Sequence, residues 1–132
     1  MLYLISSGEP RSRNRRTKTA KFFKEPGSLS DLARAKVTRC AIFIRKRGAK
    51  IDQIWHGPEL NAKQTADIFA DELMINDIFK KTFLRSGDPV DKCLAKIDNV
   101  EGMGLAIVSS THYIARLAEA LKSIGVSDII LV

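Results

Sequence analysis

Three stretches of this 132-residue chain join an apolar run to small polar residues in a way that could do chemistry. Leu2-Tyr3-Leu4-Ile5 breaks into Ser6-Ser7-Gly8-Glu9-Pro10. Ile51 to Trp55 runs into His56-Gly57-Pro58. Leu105 to Val108 breaks into Ser109-Ser110-Thr111. Each reads as a strand whose carboxyl end meets hydroxyls, Gly or His, which is where an open α/β sheet presents a site. Hydroxyls and backbone N–H groups there can hold an anion, helped by the dipole of any helix that starts beside them. Ser6, Ser7, Gly8, Ser109, Ser110 and Thr111 are therefore the anion-binding candidates.

The elements that must position these stretches are legible from periodicity. Ser30 or Ser28 caps a first helix with Asp31 in its first turn, and Leu32, Ala33, Val37, Cys40, Ala41 and Ile44 form its apolar stripe. Lys46, Arg47 and Gly48 end it. Gly57-Pro58 opens a second helix, with Pro at its first position and Ala62, Ala66, Phe69 and Leu73 inward. A third strand is expected within Asp77 to Leu84. Ser86-Gly87-Asp88-Pro89 turns the chain into a short helix with Val90, Cys93, Leu94 and Ile97 inward. Leu105 to Val108 has the wholly apolar character of a strand covered on both faces. A fourth helix follows with Ile114, Leu117, Ala118, Leu121 and Ile124 inward, and Asp128 to Val132 is a last strand. Alternating strands and helices predict a three-layer α/β fold with a mainly parallel central sheet flanked by helices.

Composition narrows the class. The length suits a single domain spanning 1–132, and 45% hydrophobic with 28% charged residues is ordinary for a globular protein. No apolar run is long enough for a membrane span, and the N-terminus lacks the pattern of a signal peptide, so a cytoplasmic protein is expected. Cys40 and Cys93 both fall at apolar-face positions and read as reduced core thiols. There is no Cys/His cluster, so neither a metal nor a cofactor is expected.

The net charge of +7 has one address. Arg11, Arg13, Arg15, Arg16, Lys18, Lys21 and Lys24 have no acid among them, and the remaining basic residues are balanced by the 15 acidic ones. Residues 11–28 read as a long basic loop able to attract a polyanion, such as an acidic protein or a nucleic acid, with Phe22-Phe23 available for stacking.

Four pieces, in order, carry a resemblance to the histidine phosphatase (phosphoglycerate mutase-like) superfamily and its small SixA-type phosphohistidine phosphatases. Leu2 to Glu9 is similar to a strand ending in Arg-His-Gly-Glu. Leu29-Ser30-Asp31-Leu32 resembles the Leu-Thr/Ser start of the first helix. Trp55 to Ala66 is similar to Tyr-Ser-Ser-Pro-x-Leu-Arg-Ala-x-Gln-Thr-Ala, and Ile107 to Ile114 to Val-Gly-His-x-Pro-x-Ile. The Gly87-Asp88 turn fits the SixA-type branch as well. The resemblance implies a phosphoglycerate mutase-like fold. It also implies that a nucleophilic His, two Arg and a second His should bind and transfer a phosphoryl group. Here Ser7 stands at the nucleophile, Ser6 and Asn61 at the two Arg positions, and Ser110 at the second His. By the same alignment His56 and His112 are exposed loop residues at the pocket rim, which Arg11, Arg13, Arg15 and Arg16 also border. Trp55 becomes core or pocket wall.

A Ser without an adjacent base is a poor nucleophile near neutral pH, and lost guanidiniums remove bidentate anchors for phosphoryl oxygens. The expected function is therefore a catalytically inactive histidine phosphatase-like protein that binds phosphate, a phosphorylated ligand or an acidic partner. Two alternatives stand beside it. One is an active phosphohistidine or phosphoester phosphatase with a relocated constellation built on His56, His112 or Ser7. The other is a nucleic-acid-associated protein using the basic loop.

Overall fold

The computed structural model describes residues 1–11, 27–100 and 102–132. Most of the basic segment, including Arg13, Arg15, Arg16 and Phe22-Phe23, lies outside the described residues. Strands β1 (Leu2–Ser6), β2 (Gln53–His56), β3 (Ile78–Lys80), β4 (Leu105–Ser109) and β5 (Ile129–Leu131) alternate with helices α1 (Asp31–Lys46), α2 (Leu60–Leu73), α3 (Asp91–Ile97) and α4 (Thr111–Ser123). The strands form one parallel sheet in the order β3-β2-β4-β1-β5.

Strand parity builds the two cores. Tyr3, Ile5, Ile54, Ala106 and Val108 face α1 and α2, against Val37, Ala41, Ile44, Ala66 and Phe69. Leu2, Leu4, Trp55, Leu105 and Ile107 face the other way, against Cys93 of α3 and Tyr113, Ile114, Leu117 and Leu121 of α4. β1 and β4 are buried on both sides along nearly their whole length, which is why they read as unbroken apolar runs. Burying each such Leu, Ile or Val stabilises the fold by up to about 1.5–3 kcal/mol.

The connections define a switch point. From β1 the chain passes over β4 to β2 and then β3; from β4 it passes over β1 to β5. Neighbouring β1 and β4 thus send their helices to opposite sides, and a crevice opens at their carboxyl ends. The register pairs Ser6 with Ser109, so Ser7 and Ser110 leave the sheet side by side.

Ser30 caps α1 as expected, its Oγ accepting from Ala33 N–H at 3.0 Å. Several expectations need correction. Helix α2 starts at Leu60 with Glu59 as its N-cap residue, so Pro58 precedes the helix. The third strand is confined to Ile78–Lys80, and Thr82–Leu84 is a 3-10 turn. Ile124 is the α4 C-cap and is exposed. Cys40 is also exposed. It lies on the flank of α1 with Leu32, which is 63% exposed, and both open onto a cavity lined by Ile5, Phe69 and Val132. Cys93 is buried as expected. Among the described residues no helix is long and apolar enough to cross a membrane.

One close approach fixes how the chain enters β4. A Cβ on Gly104 would sit 2.0 Å from the Lys50 carbonyl oxygen, while Gly104 itself exchanges hydrogen bonds with Asp52 (2.6 and 2.7 Å). Gly104→Ala is expected to lower stability by at least roughly 1–3 kcal/mol in urea denaturation. Gly87→Ala, where a Cβ meets open space, should stay within about 0.5 kcal/mol.

Candidate functional site

The crevice is built from three strand ends and the first turns of α2 and α4. Ser7 N–H donates to the Ser109 carbonyl at 2.7 Å, extending the β1–β4 pairing past the strand. The next residues are tied to α2. Asn61 Nδ2 donates to the Gly8 carbonyl at 2.9 Å and to Ser7 Oγ at 3.3 Å. Gly8 N–H donates to Thr65 Oγ1 at 3.0 Å, and the Thr65 hydroxyl donates back to the Asn61 carbonyl at 2.7 Å. Gly8 packs closely here: a Cβ would lie 2.8 Å from the Leu29 side chain and 3.0 Å from that of Val37, which would have to shift. Gln64 adds a second tie, accepting from Leu29 N–H at 2.7 Å. The structure thus brings Ser7, Gly8 and Asn61 together, but the Gly8 N–H is already committed to Thr65.

The serines at the end of β4 divide their work. Ser109 is fully buried and its hydroxyl donates to the Leu84 carbonyl at 2.7 Å, which removes it from the crevice surface. Ser110 caps α4: its Oγ accepts from Tyr113 N–H at 3.1 Å and shares a 2.8 Å hydrogen bond with Ser86 Oγ. Thr111 and His112 begin the helix, and helix geometry leaves their N–H groups without intrahelical partners. Sequence reasoning missed Arg116. Its guanidinium donates to the Ser86 carbonyl (2.7 Å) and the Asp88 carbonyl (2.9 Å) and stacks 5.2 Å from the Tyr113 ring centre, holding the turn against Ser110. Its only signal was an Arg beside the apolar stripe of α4.

His56 is not an exposed rim residue. It ends β2, is 5% exposed, and its Nδ1–H donates to the Gly57 carbonyl at 2.7 Å. It shares parity with Ile54 and pairs with Val108, so register turns its ring under α2. His112 is exposed, but it sits in the first turn of α4 and not on a loop. Arg11 pairs with Asp31 at 2.9 Å. Trp55 is buried, with Nε1 on Gln53 and Phe83 edge-on at 6.0 Å. No group of side chains that could hold a metal occurs among the described residues.

Beneath α4, burial pushes the Cys93 thiol from 9.0 up to about 12, partly offset by its hydrogen bond with Tyr113. Burial likewise raises the Tyr113 phenol, and Cys93 raises it further.

No family model matches the sequence, and no curated protein matches it. Solved structures do. The protein histidine phosphatase SixA complexed with tungstate is 15% identical, with a TM-score of 0.76 over 91% of this chain and 75% of that one. A candidate phosphohistidine phosphatase SixA from Agrobacterium tumefaciens gives 15%, 0.75, 91% and 75% in the same terms. A mycobacterial glucosyl-3-phosphoglycerate phosphatase is 12% identical, with a TM-score of 0.62 over 89% of this chain and 77% of that one. The chain thus has the phosphoglycerate mutase-like α/β fold of these structures. Its likeness is strongest to the SixA-type structures among these three.

Three outcomes follow from these contacts. Thr65→Val keeps the shape but leaves the Gly8 N–H without an acceptor, and should cost about 1–3 kcal/mol in urea denaturation. In thiol titration with a disulfide reagent at pH 8, Cys40 should react in the folded protein and Cys93 only after unfolding. Between about pH 9 and 12 the unfolded chain releases the Cys93 proton while the folded chain keeps it. Stability should therefore fall as pH rises through that window, and a Cys93→Ala variant should lose that part of the slope.

Proposed function

We propose that the chain is a catalytically inactive histidine phosphatase-like protein that binds phosphate or a phosphorylated ligand at the β1–β4 crevice, acting in the cytoplasm. The observation that carries this reading is the set of side chains at the crevice. Where the superfamily resemblance calls for two imidazoles and two guanidiniums, Ser7, Ser110, Ser6 and Asn61 stand. Asn61 and Ser110 are hydrogen-bonded into the scaffold.

The chemistry follows from those groups. Among the described residues no base takes the proton of Ser7: its hydroxyl oxygen meets the Asn61 amide, which only donates there. The buried imidazole of His56 directs Nδ1–H to its own neighbour's carbonyl. Removing one preorganised donor costs about 2.7–4 kcal/mol of barrier in a working site, and here every charged donor at the four positions is replaced. Weak anion binding survives such losses better than transfer does. The α4 N-terminus offers the Thr111 and His112 N–H groups and a favourable dipole, and the Ser7 hydroxyl adds a neutral donor. The basic segment that starts at Arg11 supplies charge to attract an anionic ligand.

Two measurements test the reading. Turnover of p-nitrophenyl phosphate and of a phosphohistidine peptide should not exceed the uncatalysed rate. Titration with inorganic phosphate, followed by amide NMR, should shift the Ser7, Thr111 and His112 signals with millimolar affinity, weakening as salt rises. Turnover lost on Ser7→Ala, His56→Ala or His112→Ala would overturn inactivity; unmoved amides would overturn anion binding.

A further inference from the structure

One carboxylate stands at the crevice among groups otherwise suited to an anion. Glu59 is the N-cap residue of α2, yet its side chain makes no cap with that helix. It turns instead toward the Ser86–Asp88 turn. Oε2 accepts from Ser86 N–H at 3.4 Å, and Oε1 lies over Gly57, where a Cβ would come within 2.9 Å of it. The Ser86 hydroxyl in turn meets Ser110 Oγ at 2.8 Å, and Ser110 is the residue that caps α4. Two hydrogen bonds through one residue thus join the carboxylate to the α4 N-cap, on the β2 side of the crevice.

That placement sets two charges at odds. The first turn of α4 offers N–H groups and the positive end of its dipole to an anion, whereas a carboxylate beside it repels one. Among the described residues no cation pairs with Glu59, and its one hydrogen bond is the long one from Ser86. The guanidinium of Arg116 is committed to the Ser86 and Asp88 carbonyls. An ionised carboxylate has about four acceptor sites, and Glu59 is half-buried, so acceptor capacity remains at the crevice. Glu9, the other acid near these strand ends, lines the cavity on the α1 flank instead.

We propose, building on the anion-binding reading of the same crevice, that Glu59 makes it selective for small phosphate monoesters that also carry an ammonium group. The phosphate takes the Thr111 and His112 N–H groups and the Ser7 hydroxyl, and the ammonium takes the Glu59 carboxylate. A ligand with both charges turns the repulsion into an ion pair. Inorganic phosphate or a simple alkyl phosphate meets the repulsion alone. Discrimination of this kind, by a charge placed against the wrong ligand, needs no extra contact with the phosphate itself. At a half-buried site open to solvent, such a pair favours its ligand by about fivefold, the upper end for exposed charges.

Amide NMR titrations of the full chain at pH 8 compare O-phosphoethanolamine with ethyl phosphate, which lacks the ammonium. Both phosphates are dianions there, since the second phosphate pKa is about 6. O-phosphoethanolamine should bind about fivefold tighter at low salt, moving the Ser86 amide as well as those of Thr111 and His112. The preference should shrink as salt rises. Glu59→Gln keeps the side-chain shape and an acceptor for the Ser86 N–H. It should bring the two affinities together, weakening the first ligand and tightening the second. Equal affinities in the unsubstituted chain, or a preference that survives Glu59→Gln, would overturn this selectivity and leave anion binding standing. Amides unmoved by either phosphate would overturn anion binding and the selectivity with it. The comparison of the two ligands needs no variant, so it decides the matter even where Glu59→Gln fails to fold.

Discussion

The parallel pairing of β1 with β4 is the constraint on which the rest depends. These two strands are the pair at which the helical connections diverge, and their register sets Ser6 against Ser109. Because side chains alternate, a slip of one residue would exchange the two cores: Leu4 would turn toward α1 and Ile5 toward α4. The same slip would part Ser7 from Ser110 and break the 2.7 Å bond between Ser7 N–H and the Ser109 carbonyl. Crevice and core are therefore fixed by one interaction. Apolar burial on both faces makes that interaction hard to shift.

Several residues at the crevice also hold the fold together. Ser110 caps a helix. Thr65 satisfies the Gly8 N–H, and Arg116 pins the Ser86–Asp88 turn. Each of these contacts stabilises by roughly the amount of one cap or one buried hydrogen bond, about 1 kcal/mol. Such contacts keep a geometry without fixing the residues around it, in keeping with a TM-score of 0.76 to a SixA structure at only 15% identity.

Much of this was legible in the sequence. Leu105–Val108 showed a strand covered on both sides, and Ser30 was one of two recognisable caps for α1, because both signals are local. What escaped depended on distant partners. Cys40 obeys the helical stripe of α1, yet it opens onto a cavity shared with Ile5, Phe69 and Val132, which the periodicity of one helix does not reveal. His56 sits where a strand gives way to a loop. Whether such a residue is buried depends on register with β4, which no local pattern encodes. Pro58 suits a first helical turn, but α2 begins beyond Glu59. Arg116 became visible only when the turn it holds was placed beside α4.

Asn61 also decides what the crevice tolerates. Its amide ties Gly8 and Ser7 to the start of α2. An Arg at this position would sever those ties, in a loop that Gly8 already packs tightly against Leu29 and Val37. The first turn of α2 thus acts as a clasp on the loop after β1, so any residue exchanged there is tested first on how it holds that loop.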